Sequence, residues 1–130
     1  MFEVTIKESS KKLNAIDTMR VKRYSNGEKI RPGMKMEITG FVECSVHNDE
    51  ARNKDYDVMV VLTPDETYYT SSPVFTNNMK EIVRDLEASG ITYDSIVIKV
   101  GTKPSKNFPD RECLLPQFVN VKAKGFDNVD

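Results

Sequence analysis

The sequence predicts a mainly β fold: a small five-stranded Greek-key barrel with one helix, preceded by an N-terminal extension. Three observations predict it. From Pro32 onward the residue pattern gives two strands, a short third strand, a helix and two more strands. Gly40 falls in the middle of the first strand, where a barrel needs a bend. Ser72 and Pro73 mark the start of the helix between the third and fourth strands.

The segment before the barrel begins as a strand. Phe2, Val4 and Ile6 alternate with polar residues, which is the pattern of a short strand with one buried face. The stretch that follows fits two structures equally well. Leu13 and Ile16 have a spacing that suits a helix, whereas the later alternation of apolar and charged residues suits an extended chain.

The first barrel strand has the clearest strand pattern in the chain. Apolar residues or glycine occupy every second position from Met34 to Val46, which is typical of a long strand with one buried face. Gly40 indicates a bulge or a sharp bend, which lets one strand pair with neighbours on both sides.

A hairpin and the helix come next. Residues 56–63 are rich in valine, residues 67–71 carry two adjacent tyrosines, and Pro64 turns the chain between them. Ser72 and Pro73 then supply an N-cap and a first-turn proline. Apolar residues recur at helical spacing until a glycine ends the helix.

The last two strands complete the pattern. Residues 91–101 and 112–122 read as strands four and five, and Pro116 indicates an edge position or a bulge. A short acidic tail follows. The chain therefore divides into an extension, a barrel and a tail, at residues 1–33, 34–122 and 123–130. This order of strands and helix is that of the OB-fold, whose members bind oligonucleotides or oligosaccharides on one face.

The amino-acid composition is that of an ordinary globular protein of one domain. Apolar residues make up 38% and charged residues 30% of the 130 residues, and the mean hydropathy is -0.49. No apolar run approaches the roughly 20 residues of a spanning helix. The N-terminus lacks the basic start and the apolar core of a signal peptide. We therefore expect a cytoplasmic protein without a membrane partner.

The two cysteines do not have the spacing of a metal site. Cys44 and Cys113 lie in apolar strand patterns far apart in the sequence, which predicts buried reduced thiols. The alternative is a disulfide between neighbouring strands, which would require an oxidising compartment.

Charge is distributed unevenly along the chain. The net charge is -1 and the pI about 5.9, so the chain as a whole is not basic. Residues 11–35 nevertheless hold eight basic and two acidic residues, a net charge of +6. This basic segment is either a surface for a polyanion or a solvated charged face.

Few residues could carry catalysis. The chain has a single histidine, His47, at a strand end beside a polar loop, where we expect a surface residue. It has no glycine-rich phosphate loop, and no acidic residue precedes Lys99 in the pattern of a metal-dependent nuclease. We therefore expect no enzyme, no metal site and no cofactor.

The second and third strands carry residues that suit a single-stranded nucleic acid. Tyr56, Tyr68 and Tyr69 offer rings on which unpaired bases stack. Since successive strand residues point to opposite faces, one of Tyr68 and Tyr69 faces outward and the other packs inward, and the pattern does not say which. The alternative is that both are ordinary strand tyrosines.

The loop between strands four and five suits the phosphate backbone. Residues 102–111 supply Lys103, Lys106 and Arg111 as cations and Phe108 as a stacking ring. The alternative is a solvated loop with its phenylalanine folded back on the barrel.

Three segments of the chain resemble a known family. They are Tyr-Asp-Val-Met-Val-Val at 56–61, Tyr-Tyr-Thr-Ser-Ser at 68–72 leading to Phe75, and Ile-Lys-Val at 98–100 followed by Lys103, Ser105, Lys106 and Asn107. On these residues the chain resembles the small single-stranded DNA-binding proteins of bacteriophages. The resemblance spans roughly residues 34–121.

The resemblance implies an OB-fold, often self-associated, that coats single-stranded DNA during replication or recombination in the cytoplasm of the host. It carries the family's binding residues over to Tyr68, Tyr69, Lys103 and Lys106, and more loosely to Phe108. It also implies an acidic tail that recruits replication or recombination proteins. The tail here is short and does not end in phenylalanine, and the chain has no tryptophan, so it departs from the family in both respects.

Two functions follow from these observations. The first is a sequence-tolerant single-stranded DNA-binding protein that uses base stacking and phosphate contacts. The alternative is a non-enzymatic protein-interaction or assembly module, a small barrel whose basic segment and open strand edge engage a protein partner.

Overall fold

The computed structural model describes residues 2–105 and 112–122. In chain order, the described residues form the elements β1 (Phe2–Ser9), α1 (Ala15–Lys22), a 3-10 helix (Tyr24–Asn26), β2 (Glu28–Lys29), β3 (Lys35–Ile38), β4 (Gly40–Asn48), β5 (Asp55–Leu62), β6 (Thr67–Thr70), α2 (Pro73–Ala88), β7 (Ser95–Pro104) and β8 (Glu112–Lys122). Strands account for 49% of the structure, so the predicted mainly β class is confirmed.

The described strands form two sheets, and neither closes into a barrel. One has five strands in the order β1-β4-β5-β6-β2, and the other has three in the order β3-β7-β8. The chain divides into two compact units, of which the first is Met1–Ile30 with Gly40–Ser71 and the second is Arg31–Thr39 with Ser72–Asp130. The division predicted from the sequence into extension, barrel and tail stays a prediction, and residues 123–130 lie outside the described residues.

The first unit contains the five-stranded sheet. β1, β4, β5 and β6 are antiparallel neighbours, and β2 adds a short parallel strand beyond β6. One face of this sheet carries an apolar core to which the segment between β1 and β2 contributes Val21 and Tyr24. The other buried members of this core are Val4, Val42, Cys44, Val46, Val58, Val60 and Leu62.

The described residues form two α-helices where the sequence predicted one. The additional helix, α1, forms in the stretch that fitted a helix and an extended chain equally well. A capping box begins it, since Asn14 Oδ1 accepts from the Asp17 amide at 2.7 Å and Asp17 Oδ2 accepts from the Asn14 amide at 3.3 Å. These bonds satisfy amide groups that the start of a helix leaves without partners, so a short helix can form here.

The long strand predicted from Met34 onward is broken next to Gly40. β3 ends at Ile38 and pairs with β7, whereas β4 begins at Gly40 and pairs with β1 and β5. The predicted bend is therefore present, and it sends one continuous stretch of chain into both sheets.

The second unit contains the three-stranded sheet and α2. Ser72 Oγ accepts from the Phe75 amide at 3.3 Å, and Pro73 occupies the first turn, as the sequence predicts. Phe75 and Met79 are fully buried. Gly90 follows the helix with φ +70°, a left-handed conformation that favours glycine and ends the helix.

Both cysteines are free thiols, so the predicted reduced state is confirmed and the alternative disulfide is absent. Cys44 is buried, as predicted. Cys113 is half-buried, because it lies on β8, the edge strand of the second sheet.

Candidate nucleic-acid interface

Tyr56 and Tyr69 lie on the face of the first sheet that carries the apolar core. Tyr56 is in register with Val46 and Tyr69 with Val60, both of which belong to that core. Both rings are half-buried and pack against the core with one part while another part stays accessible. The structure therefore brings these two predicted site residues to one face.

Tyr24 contacts both Tyr56 and Tyr69. Its ring centroid lies 5.2 Å from that of Tyr69 at an interplanar angle of 66°, an edge-to-face arrangement. Its hydroxyl lies 3.3 Å from the Tyr56 hydroxyl. Tyr24 is only 4% exposed, and burial, followed by the hydrogen bond to Tyr56, raises its pKa.

Phe2 extends this group of rings toward solvent. Its ring centroid lies 5.9 Å from that of Tyr24, and 42% of the residue is exposed. We call Phe2, Tyr24, Tyr56 and Tyr69 the aromatic cluster. The sequence pattern did not indicate Phe2 and Tyr24 as site residues. Both lie in the predicted N-terminal extension, and no local pattern reveals where that extension lies relative to Tyr56 and Tyr69.

Tyr68 lies on the other face of β6 from Tyr69. The structure thus answers the question that the strand alternation left open, since Tyr69 packs against the core and Tyr68 does not belong to it. Tyr68 is half-buried, and burial raises its pKa, as do the carboxylates of Glu28, Glu66 and Asp65. These three carboxylates make its surroundings unfavourable for a phosphate group.

Of the predicted cations, the structure describes Lys103, which belongs to the second unit. β7 continues to Pro104, so Lys103 is an exposed residue of a strand and not of a loop, because β8 pairs with β7 as far as this point. Lys103 is in register with Cys113 in the second unit. The other predicted residues of this segment lie outside the described residues: Lys106, Phe108 and Arg111.

Internal contacts engage part of the basic segment. Arg20 donates to Thr67 Oγ1 at 3.0 Å and to the Thr63 carbonyl at 2.8 Å, and it also donates to the Glu66 carbonyl. Lys22 donates to the carbonyl of Val4. These cations hold the first unit together, so the segment offers less free charge than its composition indicates.

Lys29 shares the face of Tyr69. It is in register with Tyr69 across the parallel pair of β2 and β6, and it is exposed. Residues in register point to the same side of a sheet, so a cation accompanies the accessible part of the aromatic cluster.

His47 is a surface residue, as predicted, and it is held by two carboxylates. Its Nδ1 lies 2.7 Å from Asp55 Oδ1, and its Nε2 lies 2.7 Å from Asp49 Oδ1. The hydrogen bond to Asp55, then the bond to Asp49, raises the pKa of His47. The carboxylates lie on opposite sides of the ring and tie the end of β4 to the start of β5.

Neither a metal centre nor a spanning helix emerges from the described part of the chain. In residues 2–105 and 112–122, no group of three or more histidine, cysteine or carboxylate side chains is placed to hold a metal ion. In the same residues, no helix is both long and apolar enough to cross a membrane.

Comparison with known proteins gives no match. No protein-family model, no curated protein and no solved structure matches this chain significantly.

Proposed function

We propose that this protein is a non-enzymatic, sequence-tolerant single-stranded DNA-binding protein of the kind that acts in phage replication or recombination. The observation that carries the proposal is the aromatic cluster. Tyr56, Tyr69 and Phe2 present accessible ring surface on one face of the first sheet, and Lys29 lies on the same face. Aromatic stacking is tolerant of base identity, because every base has a flat π-face.

The topology supports an OB-fold as the scaffold. The broken strand β3–β4 takes part in both sheets, and α2 connects β6 to β7 as the helix between the third and fourth strands of such a barrel. Fold alone suggests a class of ligand, so the aromatic residues carry the functional argument.

The proposed mechanism combines stacking with phosphate contacts. Each base stacked on a ring contributes about 1–3 kcal/mol, and each neutralised phosphate releases counterions. If about four phosphates are contacted, the slope of log affinity against log salt concentration is about -3. Self-association would place several such faces along one strand.

Fluorescence anisotropy of a labelled oligo-dT, measured at several salt concentrations, tests this proposal. We expect binding with the negative salt slope given above and tighter binding to single strands than to duplex DNA. The variants Tyr56→Leu and Tyr69→Leu should weaken binding about tenfold each, which corresponds to the loss of one stacked base. Tyr93→Leu is the matched control, since Tyr93 is also half-buried and lies in the second unit.

Three results would count against the proposal. They are undetectable binding by the parent protein, binding that does not depend on salt, and equal affinity of all three tyrosine variants. Thermal unfolding of each variant separates a lost contact from a lost fold.

One observation favours the alternative function, a protein-interaction module. Ile16 and Met19 on α1 are 69% and 59% exposed, which is unusual for large apolar residues. They line a surface depression of about 510 Å³ together with Arg23 and Asp65. A protein that is inert toward DNA but forms a defined complex, lost in the double variant Ile16→Ser with Met19→Ser, would support this alternative.

A further inference from the structure

The outer face of the second sheet carries a row of lysines. β3 and β7 alternate regularly, and their buried face consists of Met36, Ile38, Ile96, Ile98 and Val100. Successive strand residues point to opposite faces, so Lys35, Lys99 and Lys103 all lie on the other face. All three are exposed. We call these residues the lysine row.

Two members of the row face each other. Lys35 is directly in register with Lys99 across the antiparallel pair of β3 and β7. Directly opposed residues have β-carbons about 4.5–5.5 Å apart, and like charges at this position are destabilising. Neither lysine forms an ion pair with any residue in the described ranges 2–105 and 112–122. Within those ranges, no carboxylate pairs with either lysine to offset the repulsion.

The rest of this face adds little negative charge. Glu37 is the acidic residue that β3, β7 and β8 place there, and Lys122 pairs with it at 2.5 Å. The remaining described residues of the face are uncharged: Val97, Gly101, Cys113, Leu115, Gln117 and Asn120. The described strand residues of this face thus carry a net positive charge, although the chain has a net charge of -1.

The geometry of the row suits an extended ligand. Lys99 and Lys103 are four residues apart on one strand, a separation of about 13 Å. The side-chain amide of Gln117 lies over Gly101 between them, so closely that a β-carbon on Gly101 would be 2.6 Å from Gln117 Nε2. A hydrogen-bonding amide thus lies between two cations on an open strand surface.

We infer that the lysine row binds the phosphate backbone of a single-stranded nucleic acid. An extended chain with evenly spaced negative charges can contact both ends of the row, and it relieves the repulsion between Lys35 and Lys99. This inference rests on the proposed function and deepens it, because it assigns backbone contacts to Lys35 and Lys99 in addition to Lys103, which the sequence already predicted as a binding residue.

The salt dependence of binding tests the row. The triple variant Lys35→Gln, Lys99→Gln, Lys103→Gln should bind labelled oligo-dT at least about tenfold more weakly at low salt. Its salt slope should be shallower by about 2, from roughly 0.7 for each lost contact on a single strand. Parallel titrations with oligo-dT and oligo-U distinguish DNA from RNA as the source of the phosphate backbone.

A matched control removes the same charge from other places. The triple variant Arg52→Gln, Lys54→Gln, Arg84→Gln loses three exposed cations outside the row. We expect its salt slope to stay close to that of the parent. The melting temperature provides an independent readout, because the row variant loses an opposed like-charge pair and should melt at or above the temperature of the parent protein.

The outcomes separate the two proposals. If the parent binds single strands and the row variant keeps the slope and affinity of the control variant, the lysine row is overturned while the proposed function stands. If the parent binds neither oligo-dT nor oligo-U, both are overturned. A shallower slope in the row variant alone supports the row.

Discussion

Gly27 packs against the backbone carbonyl of Thr67 so closely that a β-carbon on Gly27 would lie 2.1 Å from the Thr67 oxygen. This contact brings the end of the N-terminal segment against β6, just before β2 pairs with it. Real β-carbons do not approach backbone oxygens this closely, so only glycine fits without a shift of the backbone.

The variant Gly27→Ala should therefore destabilise the protein. Either β2 or β6 has to move, and overpacking of this kind costs about 1–3 kcal/mol in the free energy of unfolding. Urea unfolding followed by circular dichroism measures this change. Ser25→Ala, at an exposed neighbouring position, is the control and should change stability by less than about 0.5 kcal/mol. Equal stability of the two variants would contradict the close contact.

Arg20 holds the turn between β5 and β6 through its contacts to Thr63, Glu66 and Thr67. Replacing it in Arg20→Gln should cost about 2 kcal/mol of stability, because hydrogen bonds to a charged group are lost and carbonyl groups lose their donor. Chemical denaturation measures the change. Arg23→Gln removes an exposed cation three residues later and should be close to neutral. A neutral Arg20→Gln variant would mean that the turn does not need this side chain.

The pKa of His47 should be measurably above its ordinary value of about 6.5, since Asp55 and Asp49 both bind its ring. The chain has one histidine, so a single NMR resonance reports this value without ambiguity. Only the charged ring donates through both nitrogens, and a neutral ring has to release one carboxylate. A pKa at or below 6.5 would contradict the arrangement.

The same arrangement gives a pH dependence of stability. A pKa that is raised in the folded state contributes stability that is fully present below about pH 6.5 and is lost as the pH rises through the folded value. The stability difference between the parent and His47→Gln should therefore be larger at pH 6 than at pH 9.

The two thiols should differ in reactivity. Burial raises the pKa of Cys44 to about 11, so its thiol stays protonated at pH 8. The same burial keeps the thiol out of reach of reagents in solution. Cys113 is half-buried on an edge strand and can be reached from solvent. A thiol reagent should label one cysteine rapidly in the native protein and both after unfolding. In Cys113→Ser the rapid labelling should disappear, and its persistence would show that Cys44 is accessible.

Local patterns were sufficient where one residue decides the structure. Ser72 and Pro73 begin α2 as predicted, and Gly40 lies at the predicted bend. Both features depend on the conformational preferences of the residues themselves, so they can be read without knowledge of the rest of the chain.

Local sequence patterns were insufficient where a residue far away in the sequence determines the structure. Strand alternation requires Tyr68 and Tyr69 to point to opposite faces, but the choice between them is made by Tyr24, which covers one face from far away in the sequence. In the same way, the basic composition of residues 11–35 indicated a free charged surface, whereas Arg20 and Lys22 are engaged by carbonyl groups of β1 and of the turn after β5.

The order β1-β4-β5-β6-β2 means that both outermost strands of the first sheet come from the first 30 residues of the chain. During synthesis these residues leave the ribosome first, but they can pair only after the central strands have also left it. In a truncated chain that begins after Ile30, β4 and β6 would become edge strands with unpaired backbone N–H and C=O groups. Such unprotected sides recruit strands from other molecules, so we expect a shortened protein to form intermolecular aggregates.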